Sequence, residues 1–380
     1  MRVSFFKQNK INRLHKNSLK KAIDELIDGK SPIVLGKFSK EFENQYSRYI
    51  GSKYCSFVSN GLDALTIALK VIDIKEGDEI LVPNHTYIAT WLAVLNLGAT
   101  IVPVPVKNDS LIIDENKIEN LITSKTKAII PVHLYGNVAN IDHIKKLAKN
   151  YKLFIIDDAA QAHGSMSGDK KIGNYFDMSC FSFYPTKNLG ALGEAGCITT
   201  NNTEFYNKIN SIRNYGKSLM NPSINLYQGS NYIVDELQAA FLISKLKKLE
   251  EIIQKRNNIL KIYQNLNKSE VSQYLRLITY SKFASPHLAV IKVNNVFIRN
   301  SLIEYLKENN IETMIHYIKP CHKQSFIKKN QIRISDNVAK QAEEISNTIL
   351  SLPMSEVHSI EEINYVIKCI KKFFMEINLN

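Results

Sequence analysis

Residues 181–196 read FSFYPTKNLGALGEAG, aromatic residues running into one lysine and then three spaced glycines. A lysine amine packed beside aromatics is stripped of water, loses its proton more readily and becomes a nucleophile toward a carbonyl carbon. Lys187 is therefore the first candidate for covalent chemistry, although most lysines of any chain are solvated surface charges. The glycines after it follow the spacing GxxGxxG, which is neither a dinucleotide fingerprint nor a Walker loop.

Asp158 ends the apolar run LFIIDD. A carboxylate at a strand end can cap a helix, bind a cation, or keep the nitrogen of a heteroaromatic ring protonated. Gln161 and His163, just beyond, can hydrogen-bond the substituents of such a ring, though His163 alone reads as a satisfied structural histidine rather than a proton shuttle. Ser182 lies inside FSF. In SNGLDAL (59–65) a small polar turn passes directly into a helix. Gly61 permits close approach and the first helical amides favour a phosphate, whereas the plain alternative is that Asn60 only caps the helix.

These residues need a frame that gathers strand ends. Residues 54–58, 79–82, 100–104, 127–132 and 153–157 read as buried strands, with helical spacing in GLDALTIALKVI, TYIATWLAVLNL, DENKIENLI and IDHIKKLAKN between them. The alternation implies an α/β fold with a mainly parallel sheet between helices, and such sheets bind ligands at the carboxyl ends of their strands. MSCFSFY and AGCITT lack a regular helix between them, so a mixed sheet is expected. The amphipathic stretch from Asp235 to about Asn265 would link the large domain to a smaller C-terminal α+β domain. There Ile363, Val366, Ile367 and Ile370 form one apolar helical face. The division expected is an N-terminal helical segment (1–30), a large domain (31–250) and a small domain (251–380).

The 380 residues carry a formal charge of +13, which points to an anionic partner. The lysines are dispersed and no nucleic-acid motif occurs, so a phosphorylated cofactor and a nucleotide-linked substrate fit that bias better than nucleic acid. Five scattered cysteines without a CxxC pair suit reduced thiols in a cytoplasm. No HExxH, EF-hand loop or GxSxG elbow is present, and no metal site is expected. Residues 84–106 contain no Lys, Arg, Asp or Glu, but Asn96, Gly98, Pro103 and Pro105 interrupt them. They read as a helix, a turn and a strand rather than a membrane span.

Five ordered blocks resemble one known family: EILVPNHTYIATWLAVLNLGA, KAIIPVHLYGNVANIDHI, IIDDAAQAHGS, CFSFYPTKNLGALGEAG and GSNYIVDELQAA. Together they look like the DegT/DnrJ/EryC1/StrS sugar aminotransferases, a branch of the fold-type I pyridoxal-phosphate enzymes. The resemblance is strongest over residues 30–265. It implies that Lys187 holds pyridoxal 5'-phosphate as an imine and that Asp158 partners the pyridine nitrogen. It places Gln161 against the ring hydroxyl, Tyr87 against the ring face, and Ser182 with the backbone of Gly61 and Leu62 around the phosphate. Asn231 matches a residue that reaches the phosphate from a neighbouring subunit, which implies a homodimer with shared sites. His316 and Tyr317 fall where the small domain approaches the sugar nucleotide. Three positions depart from the family pattern: Ile233 replaces a frequent arginine, Asp157 a frequent glutamate and Leu62 a frequent threonine.

The pairing of GLDAL with FSFYPTKNLGA resembles members that aminate a 3-keto position. The implied reaction moves an amino group from L-glutamate to a nucleotide-diphospho keto sugar, a dTDP-3-keto-6-deoxyhexose. A 4-keto acceptor is the alternative. A dehydratase on the same fold is opposed by Lys187, because such relatives carry histidine there. A non-catalytic member is opposed by the intact set of Lys187, Asp158 and Ser182.

Overall fold

The computed structural model describes residues 1–377. Its seven-stranded sheet is built from strands that are apolar on both sides. In β2 (Glu79–Pro83) every residue is buried, with Ile80 and Val82 entering the core on one face and Leu81 the core on the other. That double burial is what a parallel sheet covered by helices on both faces demands. The remaining strands are β1 (Tyr54–Val58), β3 (Thr100–Val104), β4 (Thr126–Ile129), β5 (Phe154–Asp158), β8 (Met178–Ser182) and β9 (Gly196–Thr200), in the spatial order β1-β9-β8-β5-β4-β2-β3. A two-stranded ribbon of β6 (Met166–Ser167) and β7 (Lys170–Lys171) stands apart.

Only β9 runs against the others, pairing antiparallel with both β1 and β8. The segment between β8 and β9 contains no helix, and a return without a helical crossover makes an antiparallel neighbour. Thus the expected α/β fold is observed, mixed at the point where the helix is missing. Pro103 is accommodated because β3 is an edge strand, where a missing ladder donor faces outward.

One face of the sheet carries α4 (Gly61–Val71), α5 (Ile88–Leu95) and α7 (Thr203–Ile212), whose Leu65, Ile67, Trp91, Val94 and Ile209 share a core. The other face carries α3 (Lys37–Ile50), α6 (Ile141–Tyr151) and α8 (Glu236–Leu246). A separate three-stranded antiparallel sheet, β10 (Leu275–Leu277), β11 (Ala289–Val293) and β12 (Ile349–Leu352), packs with α9 (Leu249–Tyr263), α10 (Val296–Glu308) and α12 (Ile360–Ile377). Helix α11 (Asp336–Thr348) leads into β12. In α12, Ile363, Val366 and Ile370 are fully buried and Ile367 packs at their margin.

One local expectation is corrected and two are made more specific. DENKIENLI forms two single 3₁₀ turns, Glu115–Lys117 and Glu119–Leu121, instead of a helix. Asp114 bonds the amide of Asn116, and so short a segment anchored mainly by buried Ile118 does not repay helix nucleation. The stretch after Asp235 is two helices that break at Lys247–Lys248, because α8 and the start of α9 serve one core while Ile259, Leu260 and Tyr263 turn into the other. Finally, the helices α1 (Gln8–Arg13) and α2 (Lys16–Ile27) are preceded by extended chain, in which Val3 bridges Ile311 and is buried in the core of the smaller sheet.

Candidate active site

The carboxyl ends of β1, β2, β4, β5 and β8 lie on one edge of the large sheet, and the turns beyond them carry most of the polar residues singled out above. At the first, Asn60 is the N-cap of α4 and accepts from the amide of Asp63 at 2.8 Å. Asp63 is tied in turn to Ser59 and to Asn60 Nδ2. The amides of Gly61 and Leu62 open the helix and have no preceding turn to bond. A Cβ on Gly61 would stand 2.7 Å from Ser182 Cβ, so only glycine lets the helix start this close to the end of β8. Ser182 Oγ accepts from the amide of Tyr184 at 3.3 Å, which leaves its own proton to give. Helix-start amides and a hydroxyl donor therefore converge, the donor set that an anion such as a phosphate takes.

Asp158 ends β5 and is buried. Thr90, from α5, donates to its Oδ2 at 2.8 Å, and the amide of Ala160 donates to Oδ1 at 3.1 Å. Because Thr90 gives its proton to the carboxylate, it must accept from Thr86 at 3.0 Å. Burial raises the pKa of Asp158, and these two donors and the Lys187 cation pull it back. Burial likewise lowers Lys187 to about 8, against the opposing pull of Asp158 and Glu194. Lys187 is only half-buried by its exposed area, so its amine combines reduced solvation with access. Its backbone is held by a bond from its amide to the carbonyl of Tyr184 at 2.8 Å, and the Tyr184 ring beside it is exposed.

Gln161 is oriented at both ends. Its Oε1 accepts from the amide of Tyr135 at 2.6 Å, and its Nε2 donates to the Tyr317 hydroxyl at 3.1 Å. Tyr135 Oη donates to the carbonyl of His316 and so must accept from His85 Nε2 at 2.9 Å. His316 Nδ1 lies 2.9 Å from Ser351 Oγ, and its ring stacks on Phe5 at 5.8 Å. Tyr87, half exposed at the start of α5, has its ring 5.3 Å from that of Tyr317. Thus Tyr87, Gln161, His316 and Tyr317 are brought together. Burial holds His85 and His316 at about 4, neutral at physiological pH, and raises Tyr317 above its ordinary value.

His163 is saturated: Nε2 donates to the Ser182 carbonyl at 2.8 Å and Nδ1 accepts from Tyr46 at 3.0 Å. Burial lowers it to about 3, which rules out a proton-carrying role near neutrality. Asp157 is occupied by His133 Nε2 at 3.2 Å, and His322 pairs with Glu343 at 3.1 Å. Asn231 is exposed, and its Oδ1 accepts from the amide of Ile233 at 3.4 Å. Among the described residues no hydrogen bond joins Asn231 to Gly61, Leu62 or Ser182 of its own chain.

Sequence reasoning missed Thr90, Tyr135, His85 and the exposed Tyr184. Thr90 had one available signal, its place in the first turn of the helix after Tyr87; Tyr135 had its place in the LYGN turn. The residues fit pyridoxal phosphate: a corner that only glycine can make beside Ser182, a buried carboxylate at Asp158, an amine of lowered pKa at Lys187 and an oriented amide at Gln161. Among the described residues, no cluster of three His, Cys, Asp or Glu is placed to hold a metal ion, and no helix is long and apolar enough to cross a membrane.

The model of the DegT/DnrJ/EryC1/StrS aminotransferase family matches residues 14–371. The chain is 39% identical over 371 residues to the dTDP-3-amino-3,6-dideoxy-alpha-D-galactopyranose transaminase of Aneurinibacillus thermoaerophilus, covering 98% of this chain and 99% of that one. It superposes on Streptomyces venezuelae DesV, solved in complex with a ketimine intermediate, with a TM-score of 0.91, 31% identity and 98% of each chain covered. NtdA of Bacillus subtilis, solved with bound cofactor PMP, gives a TM-score of 0.88 at 28% identity, over 98% of this chain and 85% of that one.

Proposed function

The chain belongs to the DegT/DnrJ/EryC1/StrS aminotransferase family, and from that premise we propose that it transfers an amino group from L-glutamate to C3 of a nucleotide-linked keto-6-deoxyhexose carried on dTDP, using pyridoxal phosphate. The observation that carries the reading is the meeting of buried Asp158, half-buried Lys187 with its amine near pKa 8, and the Gly61–Ser182 corner on one sheet edge.

Pyridoxal phosphate supplies a carbonyl that exchanges amines and a protonated ring that spreads negative charge. Lys187 would hold it at rest, and its amine, once free and with a pKa near 8, would take the donor's α-proton and give it back. Asp158, whose ionised form the bonds from Thr90 and Ala160 favour, would keep the ring nitrogen protonated. Gly61, Leu62 and Ser182 would hold the phosphate, Tyr87 would pack against the ring, and Gln161 would bond the ring hydroxyl. His316 and Tyr317 face the sugar nucleotide. The 3-amino regiochemistry is supported by the name of the Aneurinibacillus relative.

The same reading makes the active form a homodimer. Asn231 lies exposed beside a loop in which Leu219, Met220, Ile224, Leu226 and Tyr227 are also exposed, Met220 at 97%. Exposed apolar side chains gathered in one loop invite a partner, and a second copy would bring Asn231 to the neighbouring phosphate. Five buried free thiols suit a reducing cytoplasm.

The test is the visible spectrum of the purified protein before and after L-glutamate. Loss of the lysine-linked cofactor band with release of 2-oxoglutarate, followed by its return on adding a dTDP-3-keto-6-deoxyhexose, is the expected result. A protein that shows no cofactor band, even with pyridoxal phosphate supplied, would refute the reading.

A further inference from the structure

Lys245 is a buried lysine that this chemistry leaves unused. It is 1% exposed, in α8, and burial lowers its pKa to about 8. The acid nearest in effect, Glu356, is already paired with Arg256 at 3.2 Å. The hydrogen bond Lys245 does make goes from Nζ to the carbonyl of Gly190 at 3.2 Å. A methionine would fill the same volume without the cost of burying an ammonium group, so what the cation bonds is the informative fact.

Gly190 stands three residues after Lys187, in the tight return from β8 to β9. There the amide of Ala191 bonds the carbonyl of Phe183 at 2.7 Å, and a Cβ on Gly190 would lie 2.3 Å from the carbonyl oxygen of Pro185. The return is gripped a second time by α8: Gln238 Oε1 accepts from the amide of Gly193 at 2.8 Å. Gln238 and Lys245 are seven residues apart, two turns along one stripe of the helix. We infer that Lys245, with Gln238, is a positioning residue: α8 clamps the 187–193 return at Gly190 and Gly193 and so fixes the reach of the Lys187 amine. The inference rests on the reading of Lys187 as the cofactor's anchor.

The holoenzyme variants Lys245→Met, Lys245→Arg and Gln238→Met test it through kcat and KM for L-glutamate, visible circular dichroism of the bound cofactor, and amide hydrogen exchange at residues 187–193. For Lys245→Met, kcat should fall on the order of 10- to 100-fold, as for a reacting group displaced by a fraction of an ångström. KM should stay within about twofold, because uniform binding is untouched. The visible dichroism should change, exchange at Ala191 and Gly193 should rise, and Lys245→Arg, which keeps a donor, should recover part of the lost kcat. Gln238→Met should act in the same direction and decides the question if Lys245→Met does not fold. Folded variants with a lower melting temperature but wild-type kcat, dichroism and exchange would overturn the clamp. If the wild type itself carries no lysine-linked cofactor, the functional reading fails, and the exchange data still decide whether α8 holds the return.

Discussion

Gln161 Nε2 donates to the Tyr317 hydroxyl at 3.1 Å, across 156 residues of sequence. The direction is fixed, because the amide of Tyr135 occupies the glutamine oxygen. Tyr317 therefore accepts from Gln161 and keeps its own proton to donate, and its raised pKa keeps that proton in place at neutral pH. Tyr317→Phe should raise KM for the keto sugar by about tenfold, the equivalent of one hydrogen bond, while the half-reaction with L-glutamate keeps its rate. Single-turnover measurements of the two halves separate these; equal slowing of both would contradict a sugar-facing hydroxyl.

The amine of Lys187 sets a pH dependence whose sign follows from its lowered pKa of about 8. Only the neutral amine attacks a carbonyl, so uptake of pyridoxal phosphate by the cofactor-free protein should rise with pH and level off above about 8. Glu194 holds that pKa up, and Glu194→Gln should move the midpoint to lower pH. Rapid-mixing spectra across the pH range provide the measurement; a midpoint at the ordinary lysine value would mean that the amine is not desolvated.

Thr90 stabilises the ionised form of Asp158. Thr90→Val removes that donor and raises the Asp158 pKa further. A carboxyl with a higher pKa is protonated at a higher pH, so the acid limb of the kcat profile should shift upward while the plateau at neutral pH falls only modestly. Asp158→Asn removes the negative charge at every pH and should lower kcat by roughly 10²- to 10³-fold, the scale of losing one preorganised electrostatic group. A pH–rate profile of both variants checks the pair.

What could be read in advance was local. The continuous buried run of EILV and the cap–glycine order of SNGLDAL are properties of a few adjacent residues, and they agree with β2 and α4. Thr90 was not legible, because nothing in ATWLAVL says that its hydroxyl will meet a carboxylate 68 residues away. The same holds for the path from His85 through Tyr135 to His316, which exists only once the two sheets pack together. DENKIENLI misled for the opposite reason: its apolar spacing is helical, but it has little buried surface to lean on, and Asp114 offers a competing turn.

Asn231 carries the one claim that a single chain cannot fulfil alone. If it completes the phosphate site of a second copy, each site draws Lys187 from one chain and Asn231 from the other. Lys187→Ala should then be inactive in both sites of its own dimer, and Asn231→Asp strongly impaired, since a carboxylate would face the phosphate. Unfolding and refolding the two variants together in equal amounts should produce mixed dimers, half of the population by chance. In each mixed dimer one site combines the intact Lys187 of one chain with the intact Asn231 of the other. Activity should therefore return to about a quarter of wild type, provided that a site works independently of its neighbour. If Asn231 served its own chain's site, no mixture could assemble an intact one, and the mixed sample would show only the average of the two impaired parents.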